Sequence, residues 1–169
     1  QVRALAIKIG PGTAAETHFV MNSTPVQPAK TVQDWLDNLA VRIPGPDGKQ
    51  DAAKIAAFGD ERPHTKRQGA WLAQRPVPAS YATVNYWGVH AFTVTNALGR
   101  SQLVKFKIVP AYGEVGLTDD EAKTRPANFL IPELKERLTQ GPIAFYLLGT
   151  LGRPGDASND PSSMWADEE

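Results

Sequence analysis

Between Tyr86 and Val109 the chain carries two long runs of strand-forming residues separated by Asn96-Ala97-Leu98-Gly99, a turn sequence that ends in glycine. Tyr86, Gly88, His90, Phe92 and Val94 fall on one face of the first run, and the second, from Gln102 to Val109, can fold back beside it. A hairpin of that length commits the chain to an antiparallel sheet, because tight turns join antiparallel neighbours only. Two further runs extend the pattern. Leu5, Ile7 and Ile9 share one face of the segment Val2 to Ile9, with Val2, Ala4 and Ala6 on the other, which predicts a strand covered on both sides. After the break at Gly10-Pro11-Gly12-Thr13, residues Glu16 to Asn22 alternate Thr17, Phe19 and Met21 against His18, Val20 and Asn22, so these two segments form an antiparallel pair. Ile143 to Leu151 reads as a last buried strand.

Helices fill the intervals. Thr31 caps a predicted helix in which Val32, Trp35, Leu36 and Leu39 make an i, i+3, i+4, i+7 stripe, so Trp35 is expected to face inward. Asp51 to Phe58 and His64 to Ala73 read as two peripheral helices, the second stopped by Arg75-Pro76-Val77-Pro78. Thr118 with Glu121 is a capping box, and Leu130, Leu134 and Leu138 mark one more helix, closed by Gly141-Pro142. The tail from Gly152 to Glu169 is polar and acidic apart from Met164 and Trp165, a surface segment or the start of something that continues. The expected architecture is one α+β domain over residues 1–169, built on an antiparallel, barrel-like sheet.

Composition narrows the chemistry. The 169 residues hold 18 Lys+Arg against 18 Asp+Glu, so there is no net field to attract nucleic acid or an anionic membrane. Having no cysteine, the chain forms no disulfide, thiolate metal site or iron–sulfur cluster. The apolar run Ile143 to Leu148 falls far short of the roughly 20 residues that span a bilayer, and no membrane partner is expected. The three histidines, His18, His64 and His90, lack the spacing that lets imidazoles share a metal, and no phosphate-cradling glycine motif is present. Asn22 and His90 stand out as polar residues on otherwise apolar strand faces. By pattern alone, the usual reading of each is a core side chain bonded to backbone. The chain begins at Gln1 and enters a strand directly, which reads as a processed or excised piece of a longer protein.

The text from Pro78-Ala79-Ser80-Tyr81-Ala82 through Tyr86-Trp87-Gly88-Val89-His90-Ala91-Phe92 to Val104-Lys105-Phe106-Lys107-Ile108-Val109-Pro110 is distinctive. With Val2-Arg3-Ala4-Leu5-Ala6-Ile7-Lys8 and Asn22-Ser23-Thr24-Pro25-Val26 upstream, and Phe129-Leu130, Pro142 to Leu148, Pro154-Gly155-Asp156 and Trp165 downstream, it resembles the haem catalase superfamily, in particular the bacterial catalase-related peroxidases. The resemblance implies an antiparallel barrel of the haem catalase type, with inserted and C-terminal helices, that is incomplete in this chain. It implies haem b as cofactor, hydrogen peroxide as substrate with a possible organic electron donor, and turnover through a ferryl haem intermediate. Asn22 then corresponds to the asparagine on the distal side of the haem, a neutral amide that hydrogen-bonds peroxide without titrating. His90 resembles the histidine of the proximal-side network, and Trp35 falls where the family packs an aromatic ring on the haem.

There are departures. Gln27-Pro28 replace the family's aromatic pair after the Asn-x-Thr-Pro motif, and Met21 stands where catalases have glycine, which is expected to crowd the pocket or expose an oxidisable thioether. The family's distal histidine precedes the first of these strands, and its axial tyrosine, in an Arg-x-x-x-Tyr pattern, follows the last. No metal ligand is therefore assigned within these residues, and the chain alone is expected to decompose peroxide poorly or not at all. A non-catalytic barrel module that holds an apolar ligand or a partner chain is the alternative.

Overall fold

The computed structural model describes residues 1–166. Its strands are β1 (Ala4–Ile9), β2 (Thr17–Asn22), β3 (Tyr86–Thr95), β4 (Ser101–Pro110) and β5 (Phe145–Leu151). Helices α1 (Val32–Ala40), α2 (Ala52–Glu61) and α3 (Arg67–Ala73) lie between β2 and β3, and α4 (Asp119–Thr124) and α5 (Leu130–Gln140) between β4 and β5; short 3-10 turns span Pro63–Lys66 and Tyr81–Thr83.

The five strands form one antiparallel sheet in chain order, a meander without crossovers. The hairpin forms as expected. Gly99 takes the turn at φ 75, and the Asn96 carboxamide oxygen accepts from the Leu98 and Arg100 amides. The pairing of β1 with β2 also holds, in register from Ala4↔Asn22 to Ile9↔Thr17. Because directly opposed residues share a face, Leu5 meets Met21 and Ile7 meets Phe19, while Tyr86 lies opposite Ile108. Met21, Tyr86 and Ile108 are the buried centre of the core, and Leu5, Ile7, Phe19, Val84, Phe106 and Phe145 pack around them. The Tyr86 hydroxyl donates to the Tyr81 carbonyl at 2.7 Å, so its polar end is satisfied, and burial raises its pKa far above that of a free phenol.

The local caps are as the residues dictate. The Thr31 hydroxyl accepts from Asp34 N at 3.1 Å, and Thr118 and Glu121 close a reciprocal capping box on α4. No helix among the described residues is long and apolar enough to cross a membrane.

Four expectations are corrected. β1 is covered on one face only, since Ala4 and Ala6 are exposed. β5 is largely uncovered, with Tyr146, Leu147, Leu148 and Leu151 exposed. Both strands sit at the ends of the sheet order, and among the described residues their outer faces stay open. The apolar stripe of α1 does not turn inward: Val32, Leu36 and Leu39 are exposed, and Trp35 is 39% exposed. That helix docks through its polar side, with Asn38 buried and Asp34 and Asp37 bonded to Arg62 and His64. The tail, finally, is neither loose nor merely superficial over its described part. Trp165 is 2% exposed, its indole N–H donates to the Ala157 carbonyl, and Gln27 N donates to the Pro161 carbonyl. Residues 167–169 of the predicted tail lie outside the described residues.

Candidate functional site

β2 and β3 are joined by one register pair, Asn22↔Trp87, and diverge beyond it. The wedge between them is a cavity of about 560 Å³. Its walls are mainly apolar and aromatic, with Phe19, Trp87, Val89, Phe92 and Phe106, and both Asn22 and His90 line it. Phe106 fixes the aromatic wall: Phe19 meets its edge at 5.2 Å between ring centroids, and Phe92 tilts against it at 6.0 Å.

A register shift brings His90 to this wall. Gly88 pairs with Phe106 but Phe92 pairs with Val104, so β3 spends four residues where β4 spends two. The extra residues bulge from the ladder, Val89 turning into the interior while His90 is exposed. Asn22 is half-buried. Among the described residues neither the Asn22 amide nor the His90 imidazole is engaged in a side-chain hydrogen bond, so neither is the backbone-satisfied core residue that the pattern allowed.

Trp87 is held rigidly by edge contact with Trp71 of α3 at 5.7 Å and by the Lys107 ammonium 4.9 Å above its ring. It also borders a second, smaller cavity of about 280 Å³ with Arg3, Arg75 and Glu114. Arg75 stacks on Trp71 at 4.3 Å there.

Of the three residues singled out in the sequence, Asn22 and His90 are brought to one cavity and Trp35 is not among its lining residues. Met21 is 1% exposed, so its thioether lies in the core rather than open to oxidation. His18 also lines the cavity and was not assigned to the site, and so does Gln27, which the sequence marked only as a departure from the family's aromatic pair. His18 was legible in principle, since it shares the β2 face of Val20 and Asn22. Its Nε2 donates to Glu16 Oε1 at 2.8 Å, and that carboxylate also receives the Gly12 amide and Lys8. The Gly12 amide above all, with His18 and Lys8, holds Glu16 below the usual carboxylate range.

The residues present suit a flat apolar group with a polar edge. They do not supply a phenolate ligand to a metal. None of the four tyrosines lines the cavity; Tyr86 bonds within the core, and Tyr112 and Tyr146 are exposed. No group of three or more metal-ligating side chains occurs among the described residues.

An antiparallel meander whose splayed strands border an aromatic slot has the form of part of an antiparallel β-barrel. A sequence model of the catalase family matches residues 1–148, and the chain belongs to that family. It is 39% identical over 149 residues to a catalase-related peroxidase of Synechococcus elongatus, covering 88% of this chain and 44% of the relative. It is likewise 39% identical over 167 residues to one of Mycolicibacterium paratuberculosis, covering 97% and 52%. The fold agrees: a bacterial catalase structure superimposes with TM-score 0.81 at 21% identity, over 98% of this chain and 34% of that one. The sheet is thus an incomplete catalase barrel with its helices. The chain spans about half the length of the curated relatives it matches.

Proposed function

We propose that this chain forms one wall of the haem pocket of a peroxide-consuming oxidoreductase of the catalase-related peroxidase type. The observation that carries this reading is that Asn22 and His90 reach one aromatic-walled cavity with their side chains unclaimed. When bound, haem b supplies a redox-active iron, with peroxide as its oxidant; the residues here supply the surroundings.

Phe19, Phe92, Phe106 and Trp87 give an apolar surface on which a porphyrin can lie. The Asn22 amide N–H donates to a peroxide oxygen, holding it in place and offsetting charge as it develops there. Being neutral at every working pH, that amide acts without a proton of its own to lose. His90, which lines the same cavity, would with haem bound contribute its imidazole to the hydrogen bonding around that group and so tune the iron. Trp35, uncovered on α1 and outside the lining of this cavity, is taken as a further porphyrin contact on the family resemblance alone.

Since no tyrosine lines the cavity, residues 1–169 alone are not expected to sustain turnover. The uncovered apolar faces of α1 and β5 favour one second reading, a barrel module that holds an apolar ligand or a partner chain. An absorption spectrum of the full-length protein with added haem separates the two. A Soret band of stoichiometric haem supports the enzyme, and its absence overturns it.

A further inference from the structure

Among the described residues the apolar stripe of helix α1 is uncovered, and its contacts with the body of the chain are polar ones. These contacts come from a compact group of charges. His64 Nε2 lies 2.6 Å from Asp34 Oδ2, and both side chains are 13% exposed. The Arg62 guanidinium reaches Asp34 Oδ1 at 3.5 Å and Asp37 Oδ2 at 3.2 Å, and it rests over the Phe58 ring at 4.6 Å. His64 and Arg62 come from the end of α2 and the 3-10 turn after it, so the four residues tie α1 to α2 across about 25 to 30 positions of sequence. The Lys30 amide donates to the same Asp34 oxygen as His64, which fixes the carboxylate at the helix N-terminus, where the helix dipole also favours it.

We propose that His64 and Arg62 are positioning residues: gripping Asp34 and Asp37 on one side of α1, they set the placement of Trp35, the residue next to Asp34 in the chain. The inference rests on the proposed function only where it takes Trp35 to meet the porphyrin. Two anchors on carboxylates three residues apart fix both the roll and the tilt of a nine-residue helix, which one contact would leave free to pivot. Charge-assisted bonds between partly buried groups hold such geometry better than exposed pairs do.

Fluorine NMR of the full-length protein labelled with 5-fluorotryptophan tests this, with the Trp35 resonance assigned by Trp35→Phe. In His64→Leu the Trp35 resonance is expected to shift and broaden while that of Trp165, buried elsewhere, stays in place. His64→Gln, whose amide nitrogen can take the position of Nε2, is expected to restore it. An unmoved Trp35 resonance in His64→Leu overturns the proposal, and so does equal movement of Trp165, which would mean general loosening. With haem added, a changed Soret band in His64→Leu supports the clamp and the porphyrin contact together. A shifted Trp35 resonance with an unaltered Soret band supports the clamp and contradicts the reading of Trp35 as a porphyrin wall.

Discussion

Asn22 at the end of β2 stands opposite Trp87 near the start of β3, the one rung that joins the first hairpin of the sheet to the second. On one side of that rung the chain runs into the buried loop Ser23 to Val26; on the other the strands part and leave the cavity. Asn22 is thereby held in place by its own backbone pairing, at the lining of the cavity. The rung is braced from behind by the Trp87–Trp71 contact, which ties it to α3.

The residue before Asn22 tests the packing beneath the site. Met21→Ala removes a fully buried side chain from the centre of the core and should cost about 2–5 kcal/mol. Urea unfolding would read this as a lower midpoint with an unchanged slope; a loss under about 0.5 kcal/mol, within the usual surface range, contradicts the core assignment.

Acid should loosen α1. Burial alone would raise the Asp34 carboxyl, but the Lys30 amide, His64 and Arg62 together hold it below the usual aspartate range. A lowered folded-state value means that Asp34 contributes its stability in full above its unfolded pKa of about 3.9, and loses it as pH falls through the lower folded value. The stability gap between wild type and Asp34→Asn is therefore expected to close as pH falls below about 4. A gap independent of pH contradicts the ionised role of Asp34.

Trp165 and Lys105 should prove energetically coupled. Lys105, 2% exposed, places its ammonium 5.1 Å from the Trp165 ring centroid and donates to the Ser163 carbonyl at 3.1 Å. Arg67 binds the same segment, a strap from Ala157 to Trp165, at the Ser162 carbonyl and Ser163 Oγ. Trp165→Ala is expected to cost about 3–5 kcal/mol, and a double-mutant cycle with Lys105→Met should give a coupling of about 0.5–3 kcal/mol. Additive losses contradict the strap.

What the residues announced locally, the structure contains. Thr31, Thr118 with Glu121, and Asn96 to Gly99 each act through bonds within a few positions, so their types suffice to predict the caps and the turn. The alternation of Leu5, Ile7, Phe19 and Met21 likewise fixed which face of the first hairpin enters the core. Trp35 was misread because helical periodicity says which side of α1 is apolar, not what lies over it, and the docking contacts are the polar ones of Asp34, Asp37 and Asn38. β5 failed for the same reason. The bulge that delivers His90 and the strap under Trp165 are consequences of tertiary pairing that no short window contains. Asn22 and His90 were identified through family resemblance; strand alternation marked them only as polar residues on apolar faces.

The central claim is that the Asn22 amide donates to peroxide in the assembled pocket. It is tested most directly by steady-state peroxide turnover in the full-length, haem-loaded protein, wild type against Asn22→Ala, with the Soret band checked for equal haem content. Loss of a hydrogen bond made to developing charge should lower kcat by about 10²-fold at unchanged haem occupancy. An equal kcat in the two proteins would contradict it.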